Sequence, residues 1–582
     1  MLKLVRNRAT AFAVAMTLVL SACSSDEPSR SSGAFTDEDS IMRFVPADTP
    51  YLLATGSQLP DELLDEIEPE MEVMMGAYRE LIRASVDDAI SQSETPMSGE
   101  ELEWIGAILN ELTGLVSVEG MRDAGFERDS RMVFFGHGLL PVLRIEVSDA
   151  QKFEDMVARI EEAAGQSMNV GEIDGQSYRY AGGDGGNLVL GTFDDNAVFT
   201  FLPAMMGDDE LRMLLGLTLP DQSIAETSTL SDIAETYGYT DHYIGMIDVM
   251  GVVSIFIDEP SGLNAPLLEA FEYDNSGLSN VCREEIRETA GIAPRIVFGY
   301  HTISTETLGG SMVIEMREDL AKGLAATAAP VPGLGTDFGG LVSMGMSGDY
   351  GATRDFIMDR IDAVEADPYE CEFFADMQFG IEQMRAGLNQ PLPPVVYSFR
   401  GFNVVVDEVE GLDQIARTGQ EPSPDSIDGT ILVAMEDAQA MVAMGAMFSP
   451  ELAALDIEPN GEAVSLDLPQ VDAMGVSLYA AMVDDAIAVS FGDDAEDRVT
   501  AVLDAEIIEP SPVFSMSFDA GAYYTLIADA MMLEPDDEMP VAAQEAVRDL
   551  MLALGDIYDR ITFDVLFTEN GIELDSTVTL AQ

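Results

Sequence analysis

The chain has 582 residues, of which 106 are Asp or Glu and only 28 are Lys or Arg, and its formal net charge at pH 7 is −78. Apolar residues make up 47% of the sequence, which excludes a disordered acidic segment because such segments lack the side chains that build a core. Nucleic acid is excluded as a partner, since phosphate binding needs clustered Lys and Arg.

The N-terminus has the pattern of a secretory signal peptide. Three basic residues, Lys3, Arg6 and Arg8, precede an apolar stretch from Ala11 to Leu20. This stretch is about half of the ~20 residues that a transmembrane helix needs. We therefore expect residues 1–22 to be removed on export.

The tetrad Leu20-Ser21-Ala22-Cys23 ends this signal and resembles the lipobox of bacterial lipoproteins. The resemblance implies cleavage before Cys23 and acylation of Cys23, which anchors the protein to a membrane. Ser24 stands where an inner-membrane retention signal would have Asp, which favours the outer membrane. The body is then expected in the periplasm or at the cell surface.

Residues 23–40 are rich in Ser, Asp and Glu, with Pro and Gly, and predict a disordered tether. Beyond it, no apolar run in the sequence is long enough to cross a membrane. The nearest candidate, from Tyr243 to Ile257, is interrupted by Asp248.

The rest of the chain contains two similar halves. Five blocks recur in the same order at an offset that falls from 290 to 265, as expected for an internal duplication with a deletion in the second copy. We predict a first half over residues 41–317, a linker over 318–335 that is rich in Ala, Gly and Pro, and a second half over 336–582. The first and last of the five block pairs are Asp48–Gly56 with Asp337–Gly345, and Arg295–His301 with Arg560–Leu566.

The predicted elements alternate in the same way within each half. A short apolar strand such as PYLLATG leads into helical stretches, and longer pairs of strands with tight turns follow. This order predicts an α+β fold, with two tandem, internally duplicated halves of largely antiparallel sheet and packed helices.

The segment Phe44–Pro60, FVPADTPYLLATGSQLP, resembles the start of the DUF3352-type family of bacterial proteins of unknown function. The resemblance implies an N-terminal membrane anchor followed by alternating strands and helices. The family provides no catalytic residues that could be carried over to this chain.

The sequence contains no pattern that identifies catalytic residues, metal ligands or a cofactor site. The three histidines, His137, His242 and His301, lack metal-binding spacing and are interpreted as core or strand-surface residues. No nucleophile elbow or phosphate loop occurs. The recurring pairs Asp194-Asp195 and Asp484-Asp485 are interpreted as hairpin turns rather than calcium ligands.

Two cysteines, Cys282 and Cys371, remain once Cys23 is lipidated. A disulfide between them would stabilise the fold by roughly 4–5 kcal/mol in the chain-entropy model. The alternative is two buried free thiols, and the sequence does not decide between them because the distance between the two Cα atoms is unknown.

These observations lead to three functional hypotheses. The first is a non-catalytic binding or scaffold protein of the cell envelope, with an envelope protein as its partner. The second is a periplasmic carrier or chaperone for a lipid or another apolar ligand, for which the 34 methionines provide adaptable contacts. The third is a hydrolase that uses carboxylates. The first is favoured, and an enzyme is not expected.

Overall fold

The structure is a computed structural model. It describes residues 35, 40–59, 61–91, 99–183, 185–411, 426–447, 457–466, 476–533 and 541–581. Within these residues 17 α-helices surround one sheet of 19 strands, which confirms the predicted α+β class with antiparallel pairing. None of the helices in the described part of the chain has the length and apolarity that a bilayer crossing requires.

The chain up to residue 325 forms ten strands and ten α-helices in the described residues, together with short 3-10 helices at Ile41–Phe44 and Ile224–Glu226. In chain order they are β1 Tyr51–Thr55, α1 Asp61–Ser91, α2 Gly99–Gly114, α3 Val118–Asp123, β2 Met132–His137, β3 Leu140–Glu146, α4 Ala150–Ala164, β4 Asn169–Ile173, β5 Gln176–Gly183, β6 Gly186–Phe193, β7 Asn196–Pro203, α5 Asp208–Leu214, α6 Thr229–Tyr237, β8 Tyr243–Asp248, α7 Val249–Ile257, α8 Asn264–Ala270, α9 Asn280–Ala290, β9 Arg295–Ile303, β10 Thr307–Glu315 and α10 Glu318–Ala325.

The remaining chain forms nine strands and seven α-helices in the described residues, and a 3-10 helix at Glu372–Phe374. In chain order they are β11 Val342–Ser347, α11 Tyr350–Ala366, α12 Ala375–Leu388, α13 Pro394–Ser398, β12 Phe399–Val409, β13 Ile427–Met435, α14 Ala438–Ala446, β14 Val464–Ser465, β15 Leu478–Met482, β16 Ala486–Phe491, α15 Ala495–Leu503, β17 Pro512–Asp519, α16 Ala520–Leu533, α17 Val541–Ile557, β18 Tyr558–Thr568 and β19 Gly571–Leu580.

The strands pair in the order β4-β5-β6-β7-β3-β2-β1-β8-β9-β10-β19-β18-β17-β11-β12-β13-β16-β15-β14, and every pair is antiparallel. The β10–β19 pair lies at the centre and extends from Thr307 opposite Thr579 to Glu315 opposite Gly571. Strand β19, at the C-terminal end of the second part, therefore pairs with β10, the last strand of the first part.

The strand order is the same on both sides of the β10–β19 pair. Moving outward, β9, β8, β1, β2, β3, β7, β6 and β5 on one side correspond in connection to β18, β17, β11, β12, β13, β16, β15 and β14 on the other. Strand β4 extends the first side by one.

Short-range signals in the sequence account for several element boundaries. The carboxylate of Asp149 accepts hydrogen bonds from the backbone N–H groups of Gln151 and Lys152 and caps α4, and the carboxylate of Asp437 accepts from Ala440 at the start of α14. Asp194 and Asp195 have φ angles of 49° and 58°, as the two-residue turn between β6 and β7 requires. This pair is therefore a hairpin turn, as predicted.

One face of the sheet, which we call the core face, carries the two largest hydrophobic cores. In the first part Val133, Val297 and Val313 are fully buried there, beneath α5, α6 and the 3-10 helix Ile41–Phe44. A second core forms around Leu432 of β13 and Val499 of α15. Packing on this face fixes which side of each strand points inward. Two smaller clusters lie on the opposite face near the sheet edges, one around Phe153 and Leu190 and one around Ala438 and Val433.

Two connecting segments are more tightly packed than the sequence predicts. Phe35 falls inside the predicted tether, yet it is only 4% exposed and its ring lies against Gly56. The predicted linker 318–335 contains helix α10, and its residues Val331 and Leu334 are buried in the second core. The linker is thus a packed connection rather than an exposed one, because its few large apolar side chains fill the core.

A disulfide joins Cys282 of α9 to Cys371, which precedes the 3-10 helix Glu372–Phe374, and the two Cα atoms are 4.8 Å apart. The carboxylate of Glu285 accepts hydrogen bonds from the backbone N–H groups of Glu370 (2.7 Å) and Cys371 (3.0 Å). The two parts of the chain are therefore covalently linked beside the sheet. Cys23, the predicted lipidation site, lies outside the described residues.

Candidate apolar ligand site

The second face of the sheet, which we call the open face, carries a continuous row of apolar residues. Cross-strand partners on an antiparallel sheet point to the same side, so the strand registers define this row directly. It crosses eleven adjacent strands, from β2 to β13. Its members are Phe134, Leu53, Gly245, Phe298, Met312, Leu574, Val565, Phe514, Met346, Phe402 and Val433.

A second row runs beside the first over eight strands, from β9 to β13. It begins at Tyr300, continues through the small residues Gly310 and Ser576, and ends in large apolar side chains. Its members are Tyr300, Gly310, Ser576, Phe563, Met516, Met344, Val404 and Ile431.

None of the residues in these two rows is charged, although 106 of the 582 residues of the chain are acidic. The same central strands do carry charges, but on the core face, where Arg295 pairs with Glu315 and three further acidic residues lie on β18 and β19. Charge is therefore segregated by face across the centre of the sheet. Such segregation is typical of a surface that contacts apolar groups.

The open face is apolar without being closely packed. Met344, Met346 and Ile431 are 43%, 46% and 43% exposed, and Phe298 and Met312 are half-buried. On the core face of the same strands, Val297 and Val313 have no exposed surface. Apolar area therefore remains accessible along the open face.

Helices lie over part of this face. The ring of Tyr523 on α16 packs 4.4 Å from that of Phe518 on β17, which places α16 over the open face. Helix α1 packs against α17 through Ala84, Ala543 and Ala546, so both parts of the chain contribute to the helical layer. Helix α7, with the sequence VMGVVSIFI, packs against β9, and only Ile257 of its residues is buried.

Tyrosine side chains collect at one end of this face. The rings of Tyr243 on β8 and Tyr300 on β9 are 5.7 Å apart. Tyr558 on β18 lies opposite Leu580 and therefore points to the same side. Tyr78 of α1 and Tyr524 of α16 lie close enough to Tyr558 to influence its pKa. We call these five residues the tyrosine cluster.

Four of the tyrosine hydroxyls, those of Tyr78, Tyr243, Tyr524 and Tyr558, remain protonated over the physiological range. Burial raises the pKa of Tyr558 to about 12 and also raises the pKa values of Tyr243, Tyr78 and Tyr524. For Tyr243, Tyr524 and Tyr558, the neighbouring titratable groups that contribute to the shift are other tyrosines. The cluster therefore offers uncharged hydroxyl groups, each able to donate and to accept a hydrogen bond.

The core face holds a group of titratable residues that sequence reasoning did not find. His301 Nε2 lies 2.7 Å from a carboxylate oxygen of Asp575, and Asp564 lies directly opposite Asp575 on the neighbouring strand. Burial raises the pKa values of Asp564 and Glu573, and the charge of Asp575 adds to both shifts. A protonated carboxyl group can act as a general acid. Metal binding is a separate question, and within the described residues no three His, Cys, Asp or Glu side chains are placed to hold a metal ion.

The other two histidines lie apart from this group. His137 ends β2 and is half-buried, and burial lowers its pKa. His242 precedes β8, and its Nδ1 is 3.3 Å from the backbone oxygen of Ser57. Neither histidine lies on the strands that carry Asp564, Glu573 and Asp575.

Comparisons with protein-family models, curated proteins and solved structures found no match to this chain. The resemblance of Phe44–Pro60 to DUF3352-type proteins stays a prediction.

Proposed function

We propose that this protein holds or carries an apolar ligand, an acyl chain of a lipid, on the open face of its central sheet. The observation that supports this proposal is the uncharged row from Phe134 to Val433, which crosses eleven strands of a strongly acidic chain and stays partly exposed. Exposed apolar surface costs about 25 cal/mol per Å², and a ligand that covers the row removes this cost.

The dimensions of the row suit an extended chain. Ten inter-strand spacings of ~4.8 Å give a length of about 48 Å. This exceeds the ~30 Å thickness of a bilayer's hydrocarbon core, so one or more acyl chains can lie across the strands. Methionines such as Met312 and Met346 adapt to flexible ligands because their side chains are unbranched and polarizable.

The helices above the face favour a narrow ligand over a folded partner protein. The contact between Phe518 and Tyr523 brings the start of α16 against β17. An acyl chain needs only a narrow strip of apolar surface, whereas a globular scaffold partner needs an open surface of several hundred Å² on each side. For this reason the carrier hypothesis is preferred here to the envelope scaffold that the sequence alone favours.

The location follows from the sequence pattern at the N-terminus. The lipobox-like Leu20–Cys23 supports an acyl anchor on Cys23, and Ser24 supports the outer membrane. We also propose that the body arose by internal duplication. The recurring sequence blocks support this origin, and so does the shared strand order on the two sides of the β10–β19 pair.

The test is to express the chain with its leader, isolate the envelope membranes and label them with a photoreactive fatty acid. Met346→Glu places a charge in the row at a side chain that is 46% exposed. We expect this substitution to reduce labelling at least tenfold while the protein stays folded. Met447→Glu is the matched control, since Met447 is 81% exposed and lies outside both rows. Equal labelling of wild type and Met346→Glu would contradict the proposed site.

A further inference from the structure

The two ends of the open face differ in chemistry. The tyrosine cluster includes Tyr243 on β8, Tyr300 on β9 and Tyr558 on β18, while Met344 and Met346 lie on β11. Between them lie Gly310 and Ser576, and the ring of Tyr300 packs over Gly310, where an added Cβ would be 3.1 Å from its Cδ1. An amphiphilic ligand would therefore have one preferred orientation on this face.

The spacing agrees with one acyl chain in that orientation. Five inter-strand steps separate Tyr300 on β9 from Met344 on β11, or about 24 Å at ~4.8 Å per step. One leaflet occupies half of the ~30 Å hydrocarbon core, roughly 15 Å, so the distance accommodates a chain with its polar end group.

The charges indicate which polar end group fits. The two rows of the open face hold no Lys or Arg that could pair with a carboxylate or a phosphate, and the chain as a whole carries a charge of −78. Burying an unpaired anionic group is costly, and the field of the protein opposes it further. Hydroxyls of the tyrosine cluster, in contrast, can pair with an ester carbonyl or an alcohol.

We infer that the site selects lipids whose polar end is uncharged, of the monoacylglycerol type, with that end at the tyrosine cluster and the acyl chain directed toward Met344 and Met346. This inference depends on the proposed function, because it assigns the ligand class of the same site. Aromatic rings also attract quaternary ammonium groups, and a cationic amphiphile is therefore the competing ligand that the experiment must include.

The experiment uses envelope membranes that contain the full-length chain and three photoreactive probes of equal chain length: a monoacylglycerol, a fatty acid and an alkyl trimethylammonium. Labelled protein is quantified by mass spectrometry after digestion. We expect the monoacylglycerol to label wild type at least tenfold more than either charged probe. Its cross-links should fall on the strands between Tyr300 and Met344.

The double variant Tyr243→Phe/Tyr558→Phe keeps both rings and removes two hydroxyls. We expect it to lower monoacylglycerol labelling roughly tenfold, since each hydrogen bond to a ligand contributes several-fold in affinity. It should leave fatty-acid labelling unchanged. Tyr178→Phe on β5 is the matched control, because Tyr178 lies outside both rows, and it should change neither probe.

The outcomes separate this inference from the proposed function. Equal labelling by all three probes, or stronger labelling by the fatty acid or the ammonium probe, would overturn the selection for an uncharged end and leave the apolar site in place. Labelling by no probe above the level of Met346→Glu would overturn the site itself.

Discussion

Asp564 on β18 lies directly opposite Asp575 on β19, so two carboxylates face each other across the central strands of the core face. Burial is the main cause that raises the pKa of Asp564, and the charge of Asp575 adds to it. The pair therefore opposes folding when both groups are ionised.

We predict that Asp564→Asn stabilises the protein at pH 8 and has a smaller effect at pH 5. The pKa of Asp564 is higher in the folded chain than the ~3.9 of an unfolded Asp, so the folded state binds more protons in this window and stability falls as pH rises. The expected gain at pH 8 is roughly 0.2–1 kcal/mol, the range for cross-strand charge pairs. Urea unfolding at both pH values measures it.

Asp221→Asn is the control for this pH prediction, because Asp221 is exposed and the substitution removes one negative charge, as Asp564→Asn does. Its effect should be the same at both pH values. A loss of stability in Asp564→Asn at pH 8 would show instead that the carboxylate makes a necessary contact.

Added salt should raise the thermal unfolding midpoint. A net charge of −78 produces self-repulsion in the folded chain, and the Debye length shortens from about 10 Å at 0.1 M to about 3 Å at 1 M salt. Calorimetry in sodium and in potassium chloride tests this, and the two salts should act alike if screening is the cause. Midpoints that stay constant over this range would exclude self-repulsion as a significant cost.

Removing the disulfide should destabilise the protein substantially. The bridge between Cys282 and Cys371 closes a separation of 89 residues, for which the chain-entropy model gives roughly 4–5 kcal/mol. We expect the double Ala variant to unfold at lower urea, and reductant to shift the wild type but not the variant. Two reactive thiols in the unreduced, unfolded wild type, beyond any at Cys23, would contradict the bridge.

Arg144 is a buried cation that an uncharged side chain of similar volume should replace without loss of stability. It has no exposed surface, and burial lowers its pKa to about 9. Its Nη1 donates to the Leu215 oxygen, its guanidinium lies 3.5 Å from the Phe44 ring centre, and its Nε and Nη2 have no hydrogen-bond partner among the described residues.

Arg144→Met keeps most of the side-chain volume and removes the buried charge, so we expect stability to rise by roughly 1–4 kcal/mol. Arg144→Ala removes the volume as well and should lower stability by roughly 2–4 kcal/mol. Urea unfolding of both variants provides the comparison. If Met is as harmful as Ala, the charge itself is required by the core.

The sequence predicted the features that depend on neighbouring residues. The hairpin turn at Asp194-Asp195 follows from residue types that accept positive φ. The hydrophobic alternation of the strands likewise gave the α+β class. These signals are local, so they can be read from sequence.

The site could not be predicted because it depends on pairing between distant strands. In RIVFGYH both faces of β9 are apolar, so the pattern does not tell which side, that of Val297 or that of Phe298, points into a core. The tyrosine cluster combines residues of α1, β8, β9, α16 and β18, so it brings together positions as far apart in sequence as Tyr78 and Tyr558. For the predicted linker, the high content of small residues indicated flexibility. Composition alone does not reveal that Val331 and Leu334 are buried in the second core.

Phe35 is fixed beside Gly56, twelve positions after Cys23. At ~3.5 Å per residue, the segment from Cys23 to Phe35 spans at most about 42 Å. If Cys23 carries the proposed acyl anchor, the body would stay close to the lipid surface and could not diffuse across the periplasm. Such a molecule would bind and release its ligand at the membrane to which it is anchored, rather than transport the ligand between membranes.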